Sequence, residues 1–282
     1  MVMTSSPQFP VEIDQVRRHY DRLSFLYRFF WGEHLHHGFF EADESPRVAQ
    51  IQLIERLAKR AAVPVGARVL DVGCGLGGSA FWLAEQFACD VTGMTISPVQ
   101  ARMASKKSVA RGFGDRVRFE IQDVNCWQPQ PERFDVVWIM ESSEHFPDKP
   151  DFFRRCARTL KPGGTLAVCA WLRRDGPVRD DERPMIASIA KAMFSASLDT
   201  LSEYRQWIRD SGLTVTAAED ITRNVATTWS HCERISANPL VRLFLPLADA
   251  PTRSFVRAFP LMAQAYACGA MAFGLFVAKK VV

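Results

Sequence analysis

The sequence predicts an α/β protein: a seven-stranded, Rossmann-like sheet with an N-terminal helical flap before it and a helical lid inserted towards its end. Three observations carry that expectation. Short β-rich runs alternate with helical segments from residue 67 onward, one strand ends in a glycine-rich turn that leads at once into a helix, and two amphipathic helices precede the first strand.

Over residues 13 to 31, Ile13, Val16, Tyr20, Leu23, Leu26, Tyr27 and Phe30 recur at spacings of three and four, which predicts an amphipathic helix with an aromatic face. Ser45 and Pro46 supply an N-cap and a first-turn proline for a second helix, with Val48, Ile51, Ile54, Leu57, Ala58 and Ala61 as its apolar stripe. Next, ARVLDV, CDVTGM, RVRFEI, FDVVWIM and TLAVCAW alternate with helices, as parallel strands joined by crossover helices do. From Arg173 to about Thr200 charges and prolines break the rhythm, followed by an apolar stretch from Ile186 to Leu198, which reads as a helical insertion or lid. A helix from Leu201 to Asp210 stopped by Ser211-Gly212, a strand TVTAAED, a helical run to about Ala267 and a final strand MAFGLFVAKK complete the chain. The expected organisation is 1–60 for the flap helices, 61–172 for the α/β core, and 173–282 for the lid and the strands that finish the sheet.

A chain of 282 residues with 48% hydrophobic and 23% charged residues builds a continuous core. Lys and Arg exceed Asp and Glu by only 35 to 31 and are scattered, which argues against a nucleic-acid partner. The seven cysteines form no CxxC pair and read as reduced thiols. The opening MVMTSSPQFPVEIDQ lacks the order of a secretion signal, and no stretch approaches the roughly 20 apolar residues of a membrane span. A cytoplasmic protein without an integral membrane segment is the expectation. His34, His36 and His37 do not match a metal-ligand spacing, so no metal is expected.

The strongest local signal is VLDVGCGLGGSAFWLAE, residues 69 to 85. Glycines at a strand-to-helix turn let a ligand approach the backbone at a helix N-terminus. Gly73, Gly75 and Gly78 also satisfy GxGxxG, so a dinucleotide-binding dehydrogenase is the competing reading. Two features oppose it. Asp71, two residues before the first glycine, suits a ligand ammonium group and not a pyrophosphate, and the end of the second strand offers Thr95 where a dehydrogenase wants an acidic residue for the ribose.

In order along the chain, LDVGCGLGGS, GMTISPVQ, the Asp-Val of IQDVNCW and LKPGGTL resemble the successive motifs of class I S-adenosylmethionine-dependent methyltransferases. Within that class YDRLSFLYRFFWGEHLHHGFFE, MESSEHFPDK and VATTW resemble the gamma-tocopherol methyltransferases and their relatives, the plant alkaloid N-methyltransferases and sterol C-methyltransferases, over about residues 15 to 280. Cyclopropane fatty acid synthases and mycolic acid methyltransferases share the EHF-like segment.

The resemblance implies S-adenosylmethionine as cofactor and S-adenosylhomocysteine as its product. It implies that Gly73, Gly75 and Gly77 line the methionine part, with Asp71 supporting that loop. Thr95, Ile96 and Gln100 are implied on the ribose and adenine side, with the ring stacked on Ile96, and Asp123 and Val124 at the adenine edge. Gln100 has a second reading, as the far end of a capping box begun by Ser97, and Asp123 as a turn cap. Tyr20, Trp31 and the His36-His37-Gly38 turn are implied in a flap that closes over the cofactor and shapes the acceptor pocket.

Methyl transfer is an in-line displacement, so alignment and exclusion of water supply much of the catalysis, and a base is needed only where the acceptor keeps its proton. Glu144-His145 follows the fourth strand, at the sheet edge where α/β ligands bind. His145 is the first candidate for base or orienting group, with Glu144 and Glu141 as further candidates. Phe194, Trp171, Trp229 and the 186–198 stretch are expected to wall the acceptor site. The function expected is methylation of a small lipophilic acceptor, a phenol, amine or isoprenoid-type carbon. A cyclopropane-type lipid methylase and a non-catalytic cofactor-binding protein are the alternatives.

Overall fold

The computed structural model describes residues 9, 11–30 and 32–281; Trp31 lies outside the described residues, as do the side chains of Leu23, Leu26, Tyr27 and Phe30. Helices α1 (Ile13–Phe30) and α2 (Pro46–Ala61) come first. The core then alternates β1 (Arg68–Val72), α3 (Gly78–Phe87), β2 (Asp90–Thr95), α4 (Pro98–Ala110), β3 (Val117–Ile121), β4 (Phe134–Met140), α5 (Lys149–Thr159) and β5 (Leu160–Arg173). Helices α6 (Arg183–Ala192) and α7 (Leu201–Asp210) lead to β6 (Leu213–Asp220). Helices α8 (Thr222–Val225), α9 (Thr227–Ala237), α10 (Pro239–Phe244), α11 (Ala250–Arg257) and α12 (Phe259–Ala267) precede β7 (Met271–Lys280).

The seven strands form one sheet in the order β3-β2-β1-β4-β5-β7-β6. The first five are parallel, as the alternation of those strands with helices predicts, and β7 runs antiparallel between β5 and β6. Side-chain alternation sorts the strand residues onto two faces. Val69, Val136 and Trp138 pack on the side of α2, α3, α6, α9 and α12, while Leu70, Val72, Val137 and Ile139 pack on the side of α5 and α7. Consecutive strands leave β1 in opposite directions, so the sheet order reverses between β1 and β4 and opens a crevice at their carboxyl ends.

Local chemistry sets the helix boundaries. The Ser45 hydroxyl caps α2 by accepting from Val48 N–H, and Thr200 with Glu203 forms a complete capping box on α7. The buried face of α2 is Ala49, Gln50, Leu53, Ile54, Leu57, Ala58 and Ala61, rotated from the expected stripe, and Val48 stands 49% exposed. The helical run after β6 is broken into short helices because Pro239, Pro251 and Pro260 each start a new first turn. In the lid only α6 is helical. Beyond it the chain extends and gives its backbone to the core, Ala196 N–H donating to Glu144 O at 2.8 Å and Arg173 N–H to Asp199 O at 3.0 Å.

Candidate functional site

The carboxyl ends of β1, β2, β3 and β4 surround a cleft of about 920 Å³, counted with the solvent at its mouth. Its floor is the turn after β1. Gly73 takes φ +75° and Gly75 φ +55°, the left-handed region that favours glycine. At Gly73 an added Cβ would lie 2.2 Å from Ser142 Cβ, and the Ser142 hydroxyl is itself fixed on Val72 O at 2.7 Å. At Gly75 it would meet only Leu35 Cδ1 at 3.6 Å, so the backbone there faces the open cleft. Gly77 sits differently. It is not among the cleft-lining residues, and its missing side chain makes room for Phe119, 2.6 Å from an added Cβ, and Phe81, at 2.9 Å.

Among the described residues, four lining side chains carry a buried polar atom without a protein partner: Asp71 Oδ2, His34 Nδ1, His36 Nε2 and Gln100 Nε2. Such atoms are costly to bury unless something else bonds them. Asp71 is 1% exposed, and burial pushes its carboxyl up to about 7. Gln100 accepts from the Thr95 hydroxyl at 2.8 Å through Oε1, and its N–H donates to Ser97 Oγ at 3.1 Å. The return arm of a capping box is missing, because Thr95 takes both of its ends, donating to Gln100 Oε1 and accepting from Ser97 N–H at 3.2 Å, while Gln100 Nε2 has no partner among the described residues. Ile96, Asp123 and Val124 also line the cleft. Asp123 Oδ1 accepts from the backbone and side chain of Asn125 at 2.8 and 2.9 Å, so it caps a turn there.

Helix α1 closes the cleft through Ile13, Val16 and Tyr20. It is tied to the core where Asp21 accepts from the Ser97 hydroxyl at 2.5 Å. Tyr20 reaches His145 in the single 3-10 turn after β4, its hydroxyl 3.0 Å from Nε2. The other ring nitrogen, Nδ1, lies 2.8 Å from Phe194 O. A carbonyl only accepts, so Nδ1 carries the hydrogen and Nε2 is the acceptor that Tyr20 donates to. Burial, and secondarily Lys149, hold the imidazole below its ordinary value against the pull of the Phe194 carbonyl.

A second chamber of about 590 Å³ adjoins the cleft, and Tyr20, Leu35, His36 and Glu141 line both. Trp171, Trp229, Phe255 and Phe259 make its walls largely aromatic. One polar chain crosses it. Glu141 accepts from His37 N–H at 2.7 Å, from His37 Nδ1 at 2.8 Å and from Trp171 Nε1 at 2.5 Å, and His37 Nε2 accepts from Trp229 Nε1 at 2.7 Å. The Tyr266 hydroxyl lies 3.3 Å from the same Nε2. Burial pushes the Glu141 carboxyl up, but His37, His36 and Trp171 together bring it below the usual carboxylate range. His36 is fixed by its Nδ1 on His37 O at 2.7 Å, so its bare Nε2 is an acceptor facing the boundary between the two spaces.

Two expected residues fall elsewhere. Glu144 lines neither space; its Oε1 accepts from Trp171 N–H at 2.5 Å and its burial pushes the carboxyl up to about 8, so it braces the edge of β5. Phe194 contributes its carbonyl to His145 and turns its ring to His19, with centroids 4.8 Å apart, and its side chain is not among the lining residues. The sequence reading missed Phe255, Phe259 and Tyr266. The four-residue spacing of the two phenylalanines was the available signal.

The model of the mycolic acid cyclopropane synthetase family matches residues 9–239. A probable tocopherol O-methyltransferase of the chloroplast from Oryza sativa subsp. japonica is 32% identical over 277 residues, spanning 93% of this chain and 76% of its own. A 27-O-demethylrifamycin SV methyltransferase from Amycolatopsis mediterranei is 35% identical over 223 residues, 77% of this chain and 80% of its own. Among solved structures, the mycolic acid cyclopropane synthase CmaA1 complexed with SAH and CTAB superposes with a TM-score of 0.84 at 18% identity, over 96% of this chain and 99% of that one. At that identity the likeness speaks for the fold.

Proposed function

Because the chain belongs to the mycolic acid cyclopropane synthetase family and is an S-adenosylmethionine-dependent methyltransferase, we propose that it methylates a hydroxyl group of a small lipophilic acceptor, with His145 as proton acceptor. The observation that carries this reading is the position of the Tyr20–His145 pair, where the polar cleft and the aromatic chamber meet.

The orphaned polar atoms of the cleft fit the cofactor. Asp71 and His36 offer acceptors suited to an ammonium group or a ribose hydroxyl, and Gln100 offers a donor. Gly73 and Gly75 bring the backbone close at the N-terminus of α3, while Ile96 and Val124 supply apolar surface for the base. Gly77 acts in this scheme by packing, and Asp123 by shaping its turn. When bound, S-adenosylmethionine supplies the electrophilic methyl group and loses its sulfonium charge on giving it up.

The chain's own part is alignment and proton removal. The aromatic walls of the second chamber hold an apolar acceptor and exclude water, which strengthens the electrostatics within. The acceptor's hydroxyl proton passes to His145 Nε2, directly or by exchange through the Tyr20 hydroxyl, as the new carbon–oxygen bond forms. Nδ1–H stays on Phe194 O throughout, which keeps the ring oriented and Nε2 basic. The two relatives named for O-methylation support a hydroxyl over a carbon acceptor.

The test is transfer of isotopically labelled methyl from S-adenosylmethionine to a panel of lipophilic phenols, alcohols, amines and unsaturated lipids, followed by mass spectrometry of the product. An O-methyl product from the unmodified protein, lost in His145→Ala, supports the reading. A methylene-bridged acyl product, or a C- or N-methyl product from every accepted substrate, overturns it.

A further inference from the structure

Helix α10 and the 3-10 turn after it, Leu245–Leu247, present an apolar ridge to solvent. Leu240, Leu243, Phe244 and Leu247 are 64%, 66%, 59% and 82% exposed, four large apolar side chains within eight residues. A single exposed leucine is ordinary, but such a cluster marks a contact surface. Its place in the chain gives it meaning. It joins α9, which carries Trp229, to α11 and α12, which carry Phe255 and Phe259, so it connects the elements that wall the aromatic chamber.

We infer that this ridge docks on an anionic lipid bilayer, so that a lipophilic acceptor passes from the membrane into the aromatic chamber. The inference rests on the proposed lipophilic acceptor. Charge selects the occupant. Between residues 238 and 257 the chain has Arg242, Arg253 and Arg257 against the single acid Asp249, and Asp249 is already paired with Arg22 of α1 at 2.5 Å. Arg242 is exposed within the ridge, and Arg257 is exposed at the end of α11. A short segment with apolar side chains and flanking arginines is the pattern of an interfacial anchor, its apolar residues entering the headgroup boundary and its arginines meeting lipid phosphates. The same charges oppose a second copy, because a two-fold contact through this ridge sets the arginines of one copy against those of the other. No described helix is long and apolar enough to cross a membrane.

The experiment is co-sedimentation of the full-length protein with phosphatidylcholine vesicles, with and without phosphatidylglycerol. Leu243→Asp/Leu247→Asp is the apolar variant and Arg242→Glu the charge variant. The expected result is binding to the phosphatidylglycerol vesicles that weakens with added salt, falls roughly tenfold or more in the double variant, and falls less in Arg242→Glu. Cofactor binding by calorimetry and the thermal unfolding midpoint are expected to stay unchanged in both. No binding by the unmodified protein overturns the inference, as does equal binding by the folded double variant. So does a shift from dimer to monomer in that variant with vesicle binding intact, which assigns the ridge to a second copy. Should the double variant fail to fold, weaker binding by Arg242→Glu together with the phosphatidylglycerol dependence supports the inference, and equal binding by Arg242→Glu overturns it. Failure of the methyl-transfer reading shows separately, as an absent labelled product from protein that still sediments with vesicles.

Discussion

The hydroxyl of Tyr20 donates to Nε2 of His145 across 3.0 Å, joining residues 125 positions apart in the sequence. One belongs to the helix that covers the cleft and the other to the turn at the end of β4. The helix that covers the cleft is therefore bonded directly to the proposed base. Tyr20→Phe keeps the ring and removes only the hydroxyl, so turnover is expected to drop roughly tenfold or more, while His145→Ala loses about 100-fold to 10,000-fold. Steady-state rates with labelled methyl donor measure both. Turnover unchanged in His145→Ala removes it from the chemistry.

The pH dependence follows from the sign of the shift on His145. Burial lowers its affinity for protons below the ordinary 6.5, so Nε2 is already bare at neutral pH. As a base it works only when unprotonated. The expectation is a kcat/KM that is level from about pH 7 upward and falls on the acid side with a midpoint below the ordinary histidine value. A midpoint above 6.5 in the profile contradicts a base of this kind, and persistence of the acid limb in His145→Ala assigns it to another group.

Asp71 links cofactor binding to stability with opposite signs. Its carboxyl stands at about 7 in the folded protein against 3.8 unperturbed. A carboxyl raised by folding contributes stability that is fully present below its unfolded value and is lost as pH rises through the folded one. At pH 8 Asp71 is thus a burden on the unliganded fold, of about 4 kcal/mol at most. Asp71→Asn is expected to raise the unfolding temperature of the ligand-free protein at pH 8, with little effect at pH 4, and to weaken cofactor binding. Thermal scans at the two pH values, with calorimetry, check it; lower stability at pH 8 contradicts it.

The lid is pinned by a buried ion pair. Lys149 at the start of α5 is 1% exposed, and its Nζ meets Asp199 Oδ2 at 2.8 Å and Ser197 Oγ at 2.6 Å. Removing the cation leaves an uncompensated buried carboxylate, so Lys149→Met is expected to cost about 3 to 5 kcal/mol. Adding Asp199→Asn should recover much of that loss. Denaturant unfolding of the single and double variants measures the coupling, and additive effects would show that the pair does not hold the lid.

Much of this architecture was legible because it follows from periodicity and turn chemistry. The periods of the seven strands, the Ser45-Pro46 start of α2 and the strand-to-helix turn at Gly73 are all written in patterns a few residues long. What stayed hidden depends on residues distant in sequence. Nothing near Gly77 says that Phe119 fills the space in front of it, and nothing near Glu144 says that it turns to Trp171 N–H and away from the cleft. The aromatic chamber joins α1, the loop at 35–37, Glu141 after β4, β5, α9, α11 and α12, seven places that no local pattern brings together.

The glycine turn allows a last prediction that separates binding from packing. Gly75 and Gly77 both have positive φ, +55° and +82°, so any side chain at either meets backbone strain of about 1–2 kcal/mol. Their surroundings differ. At Gly77 a Cβ lies 2.6 Å from Phe119, within the core, so Gly77→Ala adds overpacking and is expected to lose about 2–4 kcal/mol in all. At Gly75 the Cβ has room, Leu35 being 3.6 Å away, and a larger side chain projects into the cleft. Gly75→Val is therefore expected to fold with the smaller loss and to lose cofactor binding, whereas folded Gly77→Ala is expected to bind the cofactor nearly as the unmodified protein does. Paired thermal unfolding and calorimetry read the two effects independently. Undiminished cofactor affinity in folded Gly75→Val would move the cofactor away from this turn, since a branched side chain and the ligand cannot share the space in front of that backbone.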